Sequence, residues 1–453
     1  MHSKTHHVDS GSPKSRRLLG RRLAANVVLL LAFPLAGSAR TEQTVNLTTP
    51  QAPDVYDLQH STIHHGKNWY CAHPRMVTFK YFGGGEIVVG HNHALCDYRE
   101  DTDAGRSLKL WGAWHDRRTG YYTQAKVLLQ RSLDGGRTWA EENEVIVYDE
   151  GISSAEKRNF LYQQDSPRES YDMFRPEAVF FFGQAYLPKE RDIIPVCFAL
   201  RSPDKGATWE KVPTIIKHPD GDKNPDGDYI FVLRNCYPVV RMPDRQTLLA
   251  LVVDVKPGGG PMVYSSRDQG VTWSFLNHVA VDQSLPGRFT YEGLVLLPSG
   301  ELHCYYLHIS SEDQNVQGVK NAICMSVSKD GGKHWSQGVP IVGDGRECWK
   351  NPGGPGVDYR SPWPILLKDG RILVIFGRRR MPMGIGGVLS SNGGKTWSKE
   401  FVIRDDASSG DIGYPVGAQL DDGRIFTAYY YTLPDGNKFG GTRFIASSSF
   451  RLR

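Results

Sequence analysis

Five copies of one octapeptide pattern, Ser-x-Asp-x-Gly-x-Thr-Trp with small departures, recur along the chain and constrain its fold. They begin at Ser132, Ser202, Ser266, Ser328 and Ser390. Their tryptophans are 70, 64, 62 and 62 residues apart, so each repeat has room for about four short strands with their turns. This period is typical of the blades of a β-propeller.

The octapeptide has the chemistry of a tight turn. Asp, Asn and Ser side chains can hydrogen-bond to the backbone two residues on, and Gly takes positive φ without steric cost. The closing Trp can fill an apolar seam between neighbouring sheets. We therefore interpret these octapeptides as structural elements and expect them to lie away from any reaction centre.

Six segments share a second pattern: a polar residue, an alternating apolar strand, a Gly-centred turn and another strand. They run over residues 74–90, 174–198, 235–253, 291–307, 360–376 and 413–430. Six segments with five octapeptides predict an all-β fold, a six-bladed β-propeller of four-stranded antiparallel blades whose last blade lacks the octapeptide.

A propeller ring closes when one blade is assembled from both ends of the chain. The apolar residues 444–446 are expected to supply a late strand of the sixth blade, and residues 55–63 to complete it. The chain is accordingly divided into a linker and entering strand over residues 40–68 and a propeller over residues 69–453.

Residues 1–39 have the pattern of an export signal. Basic residues that include Arg16, Arg17, Arg21 and Arg22 precede a short apolar run and the small residues 36–39. The run is short for a membrane span, and the paired arginines also suit the twin-arginine route. We expect a secreted or periplasmic protein that leaves the membrane once the signal is removed.

Charge and cysteine content narrow the possible partners. Removing residues 1–39 leaves 48 basic and 48 acidic residues of the original 54 and 49, so nothing favours nucleic acid. The seven cysteines show no zinc-site spacing in sequence, and we expect neither metal nor cofactor. The expected state is a monomer that acts on a glycan or glycoconjugate.

Polar residues at the ends of the inner strands form the candidate pocket, because these strands line the central channel of a propeller. The set comprises Arg75, His91, His93, Asp97, Arg175, Glu177, Tyr237, Asp254, Glu292, His308, Arg360, Arg378 and Tyr414. Their recurrence at the same position of successive blades predicts that they converge on one site.

The octapeptides, the blade count and the strand start Pro74-Arg75-Met76 resemble the sialidase (neuraminidase) superfamily with its Asp-box, or BNR, repeats. The resemblance covers essentially the whole chain after the leader. Asp boxes also occur in lyases, other glycosidases and binding propellers, so the resemblance indicates the fold more strongly than the substrate.

The resemblance implies a retaining glycosidase with a Tyr nucleophile, a Glu as its base, an Asp as acid/base and three carboxylate-binding arginines. On the matching motifs, Tyr414 looks like the nucleophile, Glu292 the base and Arg75 the first arginine. The acid would come from the loop after the first inner strands, where Asp97 and Asp101 are the candidates and Asp103 lies nearby.

The arginine set departs from the family pattern. No Arg lies between Arg288 and Arg346, where the second arginine is expected. Arg175 or Arg234 could fill that place from another blade, and Arg360 or Arg378 could supply the third. Bidentate binding of a carboxylate needs the guanidinium fork, which His308 at the end of the fourth blade's second strand cannot copy. The arginines that are present imply a substrate with an acidic sugar. The departure leaves both sialic acid and a uronic acid as candidates for that sugar.

Two alternatives keep the fold and change the chemistry. His91, His93, His308 and Tyr237, which we also place among substrate-binding residues, would with arginines suit β-elimination from a uronic-acid polysaccharide. A binding propeller without catalysis would instead stack sugars on aromatics. The candidate aromatics are Trp111, Trp114, Trp349 and Trp363. The matched positions of Glu292 and Tyr414 favour an enzyme.

Overall fold

A computed structural model describes most of residues 50–453, and the predicted export signal lies outside the described residues. Its gaps are residues 68, 96–97, 99–114, 117–119, 122–124, 164–165, 190–191, 222–232, 255–258, 282–287, 311–320, 344–357 and 438–439. Strands dominate the described part. The first of them, β1 (Val55–His64), belongs to the last blade.

The inner strand of the first blade is broken in two by a 3₁₀ turn at Pro74–Met76, and both halves pair with the second strand. The Pro ring fixes φ and removes a donor, which favours this interruption. The blade contains β2 (Trp69–Ala72), β3 (Phe79–Gly83), β4 (Glu86–Leu95), β7 (Ala125–Ser132) and β8 (Val145–Asp149). The short β5 (His115–Asp116) and β6 (Gly120–Tyr121) pair separately.

The second blade departs from the expected alignment. Helix α1 (Ser154–Tyr162), capped by Ser153, precedes β9 (Val179–Lys189), β10 (Asp192–Ser202) and β11 (Thr214–Ile215). The octapeptide follows the third strand in the other blades that carry it, and here it follows β10. Residues 174–178, expected to begin an inner strand, form turns before β9 instead.

The remaining blades are antiparallel sheets in consecutive order. The third has β12 (Leu233–Arg241), β13 (Leu248–Asp254), β14 (Pro261–Ser266) and β15 (Ser274–His278); the fourth has β16 (Arg288–Leu296), β17 (Leu302–Ile309), β18 (Asn321–Ser328) and β19 (Val339–Val342). The fifth has β20 (Tyr359–Leu366), β21 (Ile372–Arg378), β22 (Gly384–Ser390) and β23 (Phe401–Arg404).

The sixth blade closes the ring. It contains β24 (Gly413–Gln419), β25 (Ile425–Thr432) and β26 (Arg443–Leu452), with β1 as its outer strand. Val55 pairs with Leu452 and Thr62 with Ala446, so the predicted closure by both chain ends is confirmed. The six blades confirm the predicted fold class.

The five octapeptides form the same turn. In each, the Ser Oγ accepts a hydrogen bond from the backbone N–H of the Gly four residues on, at 2.8 to 2.9 Å. In the third octapeptide the Trp packs against the preceding blade: the Trp273 ring lies 5.7 Å from Phe180 and 5.4 Å from Phe182. The predicted structural role is confirmed.

The inner strands carry a different repeated feature, a β-bulge. Register shifts interrupt the pairing of β16, β20 and β24 with their partners. Tyr291, Ser361 and Tyr414 have φ of 57°, 47° and 54° there, and His73 has φ of 59° beside the break between β2 and β3. Such non-glycine residues cost about 1–3 kcal/mol each and concentrate at functional sites. Blades four, five, six and one, which are neighbours around the closed ring, therefore all bend at their inner strands.

Candidate active site in the ring of inner strands

The bulges bring four aromatic rings together. The Tyr414 ring lies 4.5 Å from His73, 5.2 Å from Tyr291 and 5.6 Å from Tyr430, between ring centroids. His73 also lies 4.9 Å from Tyr430. All four side chains are buried, although each carries a polar atom. This grouping, which we call the tyrosine cluster, joins blades one, four and six.

Two arginines border the tyrosine cluster. Arg75, only 1% exposed, donates from Nη1 to the carbonyl of Tyr291 at 3.0 Å. Within the described residues, its Nε and Nη2 are buried without a hydrogen-bond partner. The Arg360 guanidinium lies 4.9 Å above the Tyr291 ring. Buried donors such as the Nε and Nη2 of Arg75 are rare in purely structural positions, because an unmade hydrogen bond is costly.

A salt-bridge network from the fifth and sixth blades supports the tyrosine cluster. Arg379 donates from Nη2 to the Tyr430 hydroxyl and the Ile412 carbonyl, each at 2.9 Å. The Tyr430 hydroxyl donates to Asp411 at 2.7 Å, and Arg443 Nε donates to the other Asp411 oxygen at 3.2 Å. Asp411 thus balances two buried arginines and fixes Tyr430 beside Tyr414.

The electrostatics of the tyrosine cluster favour a neutral phenol. Burial, and after it Tyr291, raises the pKa of Tyr414 well above its ordinary value, against the opposing charges of Arg360 and Arg379. Burial also acts to raise the pKa of Asp411, but Arg443 and Arg379 outweigh it and hold that pKa below its usual range. Tyr414 therefore needs a base to become a nucleophile, whereas Asp411 stays ionised.

Glu292 follows Tyr291 at the bulge of β16 and is fully buried. The next residue, Gly293, lies where the fourth and fifth blades approach closely. A Cβ there would come within 2.6 Å of Pro364 Cδ and 3.1 Å of the Pro362 carbonyl oxygen. Glycine is therefore required for the contact that places Glu292 beside the fifth blade.

Arg378 and Arg379 show how strand alternation divides neighbouring residues. Arg378 donates from Nε to the Glu400 carboxylate and from Nη1 to the Pro382 carbonyl, at 2.7 Å for the latter, so it lies on the outer side of its blade. Arg379, the next residue, faces the tyrosine cluster. The structure thus brings Arg379, rather than the predicted Arg378, to the inner ring.

Other predicted residues have described contacts elsewhere in the propeller. Arg175 is exposed in the turn before β9 and forms an ion pair with Glu177 at 3.5 Å, while the Glu177 carbonyl accepts from the second octapeptide. His308 packs its ring on Phe289 at 4.8 Å. Asp254 contacts His218 at 3.2 Å in the third blade.

Several predicted residues lie outside the described residues, and one predicted aromatic joins two blades. Asp97, Asp101 and Asp103 lie outside the described residues, as do Trp111, Trp114 and Trp349 and the side chain of Tyr237. Trp363 is buried and donates from Nε1 to the Gly417 carbonyl at 2.8 Å, which joins two blades.

His91 and His93 belong to a separate group on the first blade. The His64 ring lies 4.8 Å from His91 and 4.9 Å from His93. Cys71 is buried nearby, and its sulfur joins the ligand atoms of His64 and His93 in one group. Burial lowers the pKa of His91 well below its usual range and that of His93 to about 3, with a further contribution from His64.

Sequence reasoning missed four residues of the site: His73, Arg379, Asp411 and Tyr430. His73 directly precedes the Pro74-Arg75 motif, and Asp411 lies three residues before Tyr414. These short distances to recognised motifs are the signal that could have found two of them. Arg379 and Tyr430 follow only from which face of a strand each occupies, which depends on register.

Within the described residues, no helix has the length and apolarity needed to cross a membrane. No protein-family model matches the chain, and no curated protein matches it either. Solved structures do match. A Dyadobacter fermentans protein of unknown function superposes with a TM-score of 0.60 at 19% identity, covering 87% of this chain and 99% of that one.

Two glycoside hydrolases also match. The α-L-arabinanase of Penicillium chrysogenum, solved with arabinobiose, has a TM-score of 0.53 at 14% identity, covering 88% of this chain and 98% of that one. The Trypanosoma rangeli sialidase, solved as a covalent intermediate with 2,3-difluorosialic acid, has a TM-score of 0.50 at 13% identity. That match covers 88% of this chain and 59% of the sialidase. The chain therefore has the six-bladed fold of sialidase-like propellers.

Proposed function

We propose that this protein is a retaining exo-glycosidase that hydrolyses the glycosidic bond of an acidic sugar. One observation carries the acidic substrate: the buried Arg75 guanidinium keeps Nε and Nη2 without partners in the described part, beside the tyrosine cluster. A sugar carboxylate accepts two parallel N–H donors, so it matches this fork.

Tyr414 is the proposed nucleophile. In the first step its oxygen would attack the anomeric carbon while the bond to the leaving-group oxygen breaks, and Glu292 would accept the phenol proton. Because burial raises the pKa of Tyr414, attack requires this base. Water would then release the sugar from the tyrosyl intermediate. Asp97 or Asp101 remains the proposed acid for the leaving group.

The arginines have two different roles in this proposal, substrate binding and positioning. Arg75 and Arg360 would bind the carboxylate, whereas Arg379 acts as a positioning residue through Tyr430 and Asp411. Arg175 is not included, because it lies exposed beside Glu177. The substrate is a glycan or glycoconjugate, encountered outside the cytoplasm after signal removal.

His73 favours a second candidate, β-elimination from a uronic-acid glycan. Its ring lies 4.5 Å from Tyr414, and a Tyr–His pair beside an arginine can move the α-proton and the leaving-group proton. In that case Arg75 would neutralise the carboxylate, lowering the α-proton's pKa, and no glycosyl intermediate would form.

The test is incubation of the full chain with fluorogenic sialosides and a panel of uronic-acid glycans. Released aglycone reports hydrolysis, and new ultraviolet absorbance from an unsaturated product reports elimination. We expect release that Glu292→Gln abolishes and Tyr429→Phe leaves unchanged, because Tyr429 bonds Ser448 away from the site. Absorbance lost in His73→Gln would establish the lyase, and intact ligands would leave binding alone.

A further inference from the structure

We propose that His64, Cys71 and His93 bind a single divalent transition-metal ion of the zinc class. The ligand atoms of these three residues all lie within 4.8 Å of one another. Two imidazoles and a thiol are donors that suit zinc and its neighbours in the first transition row, whereas calcium and magnesium prefer oxygen. The site is independent of the proposed function.

Strand register creates this group. Cys71 of β2 pairs directly with His93 of β4, so their side chains project from the same face of the first blade. His91 precedes His93 by two residues and shares that face. His64 is the last residue of β1, where the chain passes from the sixth blade to the first. The fold thus assembles residues that sequence spacing separates.

A second observation points to a ligand at this place. His91 is fully buried, and in the described residues its Nε2 has no hydrogen-bond partner; the same is true of His93 Nε2. The other His91 nitrogen, Nδ1, lies 3.2 Å from the Asn92 carbonyl oxygen. Histidines that bind a metal commonly bond a backbone carbonyl through the second nitrogen, which fixes the tautomer.

Neighbouring side chains hold the proposed ligands. Gln130 Nε2 lies 3.0 Å from His64 Nδ1 and donates to Glu144 at 2.6 Å, so the His64 ring is oriented. The Trp69 ring packs against His93 at 4.0 Å between centroids. Such outer contacts tune ligand basicity and keep solvent away from a metal.

The position of the site suggests what the ion does. His64 comes from a strand of the sixth blade, while Cys71 and His93 belong to the first, so a bound ion would link the blades at which the ring closes. Three protein ligands leave a fourth position for water or for His91. Cys71 also lies two residues before His73, whose ring contacts Tyr414. A bound ion would therefore hold in place the backbone that positions His73 against Tyr414.

The experiment is metal analysis and Co²⁺ titration of the untagged full chain after chelation. We expect one ion per chain and a thiolate-to-cobalt charge-transfer band, because Co²⁺ replaces Zn²⁺ in such sites. Cys71→Ser should remove the band, and His93→Gln should weaken Co²⁺ binding at least about tenfold, the loss that even outer-shell changes cause.

Matched controls keep the result specific. His60→Gln changes a histidine of the same strand that contacts Ser448, and Cys324→Ser removes a buried thiol of the fourth blade; both should bind like wild type. Wild-type protein without a stoichiometric ion or without the thiolate band would overturn the proposal, even if the variants fail to fold. A band that survives in Cys71→Ser would overturn it as well.

Discussion

The octapeptide turns and the bulged inner strands are the two repeated features of this propeller, and they differ in how their polar groups are used. In the turns, each Ser and Asp or Asn bonds to its own loop, as Asp134 does with the N–H and hydroxyl of Thr138. Along the inner strands, Arg75 keeps buried donors that have no partner among the described residues, and Tyr414 faces other aromatic rings.

The difference separates stability from function within one repeat. A turn that satisfies its own hydrogen bonds can recur five times without chemical consequence. A bulge that directs a different side chain inward in each blade builds an unsymmetrical pocket from a symmetrical fold. Changes in the turns should therefore alter stability alone, and changes in the bulges should alter activity first.

Tyr414→Phe should have the largest effect. Losing the nucleophilic oxygen should lower kcat for the identified substrate by about 10³-fold or more, while the phenyl ring preserves packing. Steady-state kinetics and the unfolding midpoint check both parts. A variant that is folded and nearly fully active would place the nucleophile elsewhere.

Asp411→Asn should come second, because it leaves Arg379 and Arg443 without their counter-charge. We expect a loss of about 3 kcal/mol in unfolding free energy together with lower activity, measured by urea denaturation and kinetics. The Asp411 pKa is depressed, so its contribution is full above the unfolded value of about 4 and declines on acidification through the folded pKa. The difference in unfolding free energy between Asp411→Asn and wild type should therefore shrink as the pH falls below about 4. Asp405→Asn, at an exposed carboxylate, is the control.

Ser266→Ala tests the turn side of the comparison. The change removes the acceptor of the Gly270 N–H at 2.8 Å and should cost about 1–2 kcal/mol of stability. Activity below the melting transition should match wild type. The exposed Ser274→Ala is the matched control, and an activity loss in Ser266→Ala at equal folded fraction would contradict the division.

Asn392→Asp should have the smallest effect, since the fifth octapeptide already forms the shared turn. Asn392 donates from Nδ2 to Thr396 Oγ1, whereas Asp accepts at that place in the first three turns. Burial acts to raise the pKa of Asp134 in the first turn, but hydrogen bonds from Thr138 and its neighbours together outweigh burial and lower that pKa to about 2. The variant should therefore gain stability above pH 4 that is lost toward pH 2. A urea-midpoint series across that range measures it, and a pH-independent difference would contradict it.

The sequence was sufficient for the fold because the fold depends on local, repeated chemistry. The octapeptides required only Ser, Asp or Asn, Gly and Trp at fixed spacing, and the closing pair of chain ends followed from the blade count. The alignment of the second blade was missed because residues 174–178 read as a polar strand start, yet they form turns. Pro176 removes a donor there.

The candidate site was predicted in part. Arg75, Glu292, Arg360 and Tyr414 all stand at the inner-strand starts that the sequence pattern predicts, which is why one pattern found them. Arg379 was not predicted, because whether its side chain or that of Arg378 faces inward depends on the register of one strand. The sequence did not predict His64, Cys71 and His93 as one group because they lie on three strands, β2 and β4 of the first blade and β1 of the sixth.

Trapping the intermediate tests the central claim most directly. The full chain would be incubated with 2,3-difluorosialic acid and with 2-fluoro uronic glycosides, denatured, and mapped by peptide mass spectrometry. The account predicts a glycosyl adduct on Tyr414 that is absent from Tyr414→Phe. An adduct on another residue, or efficient hydrolysis with no adduct at all, would contradict it.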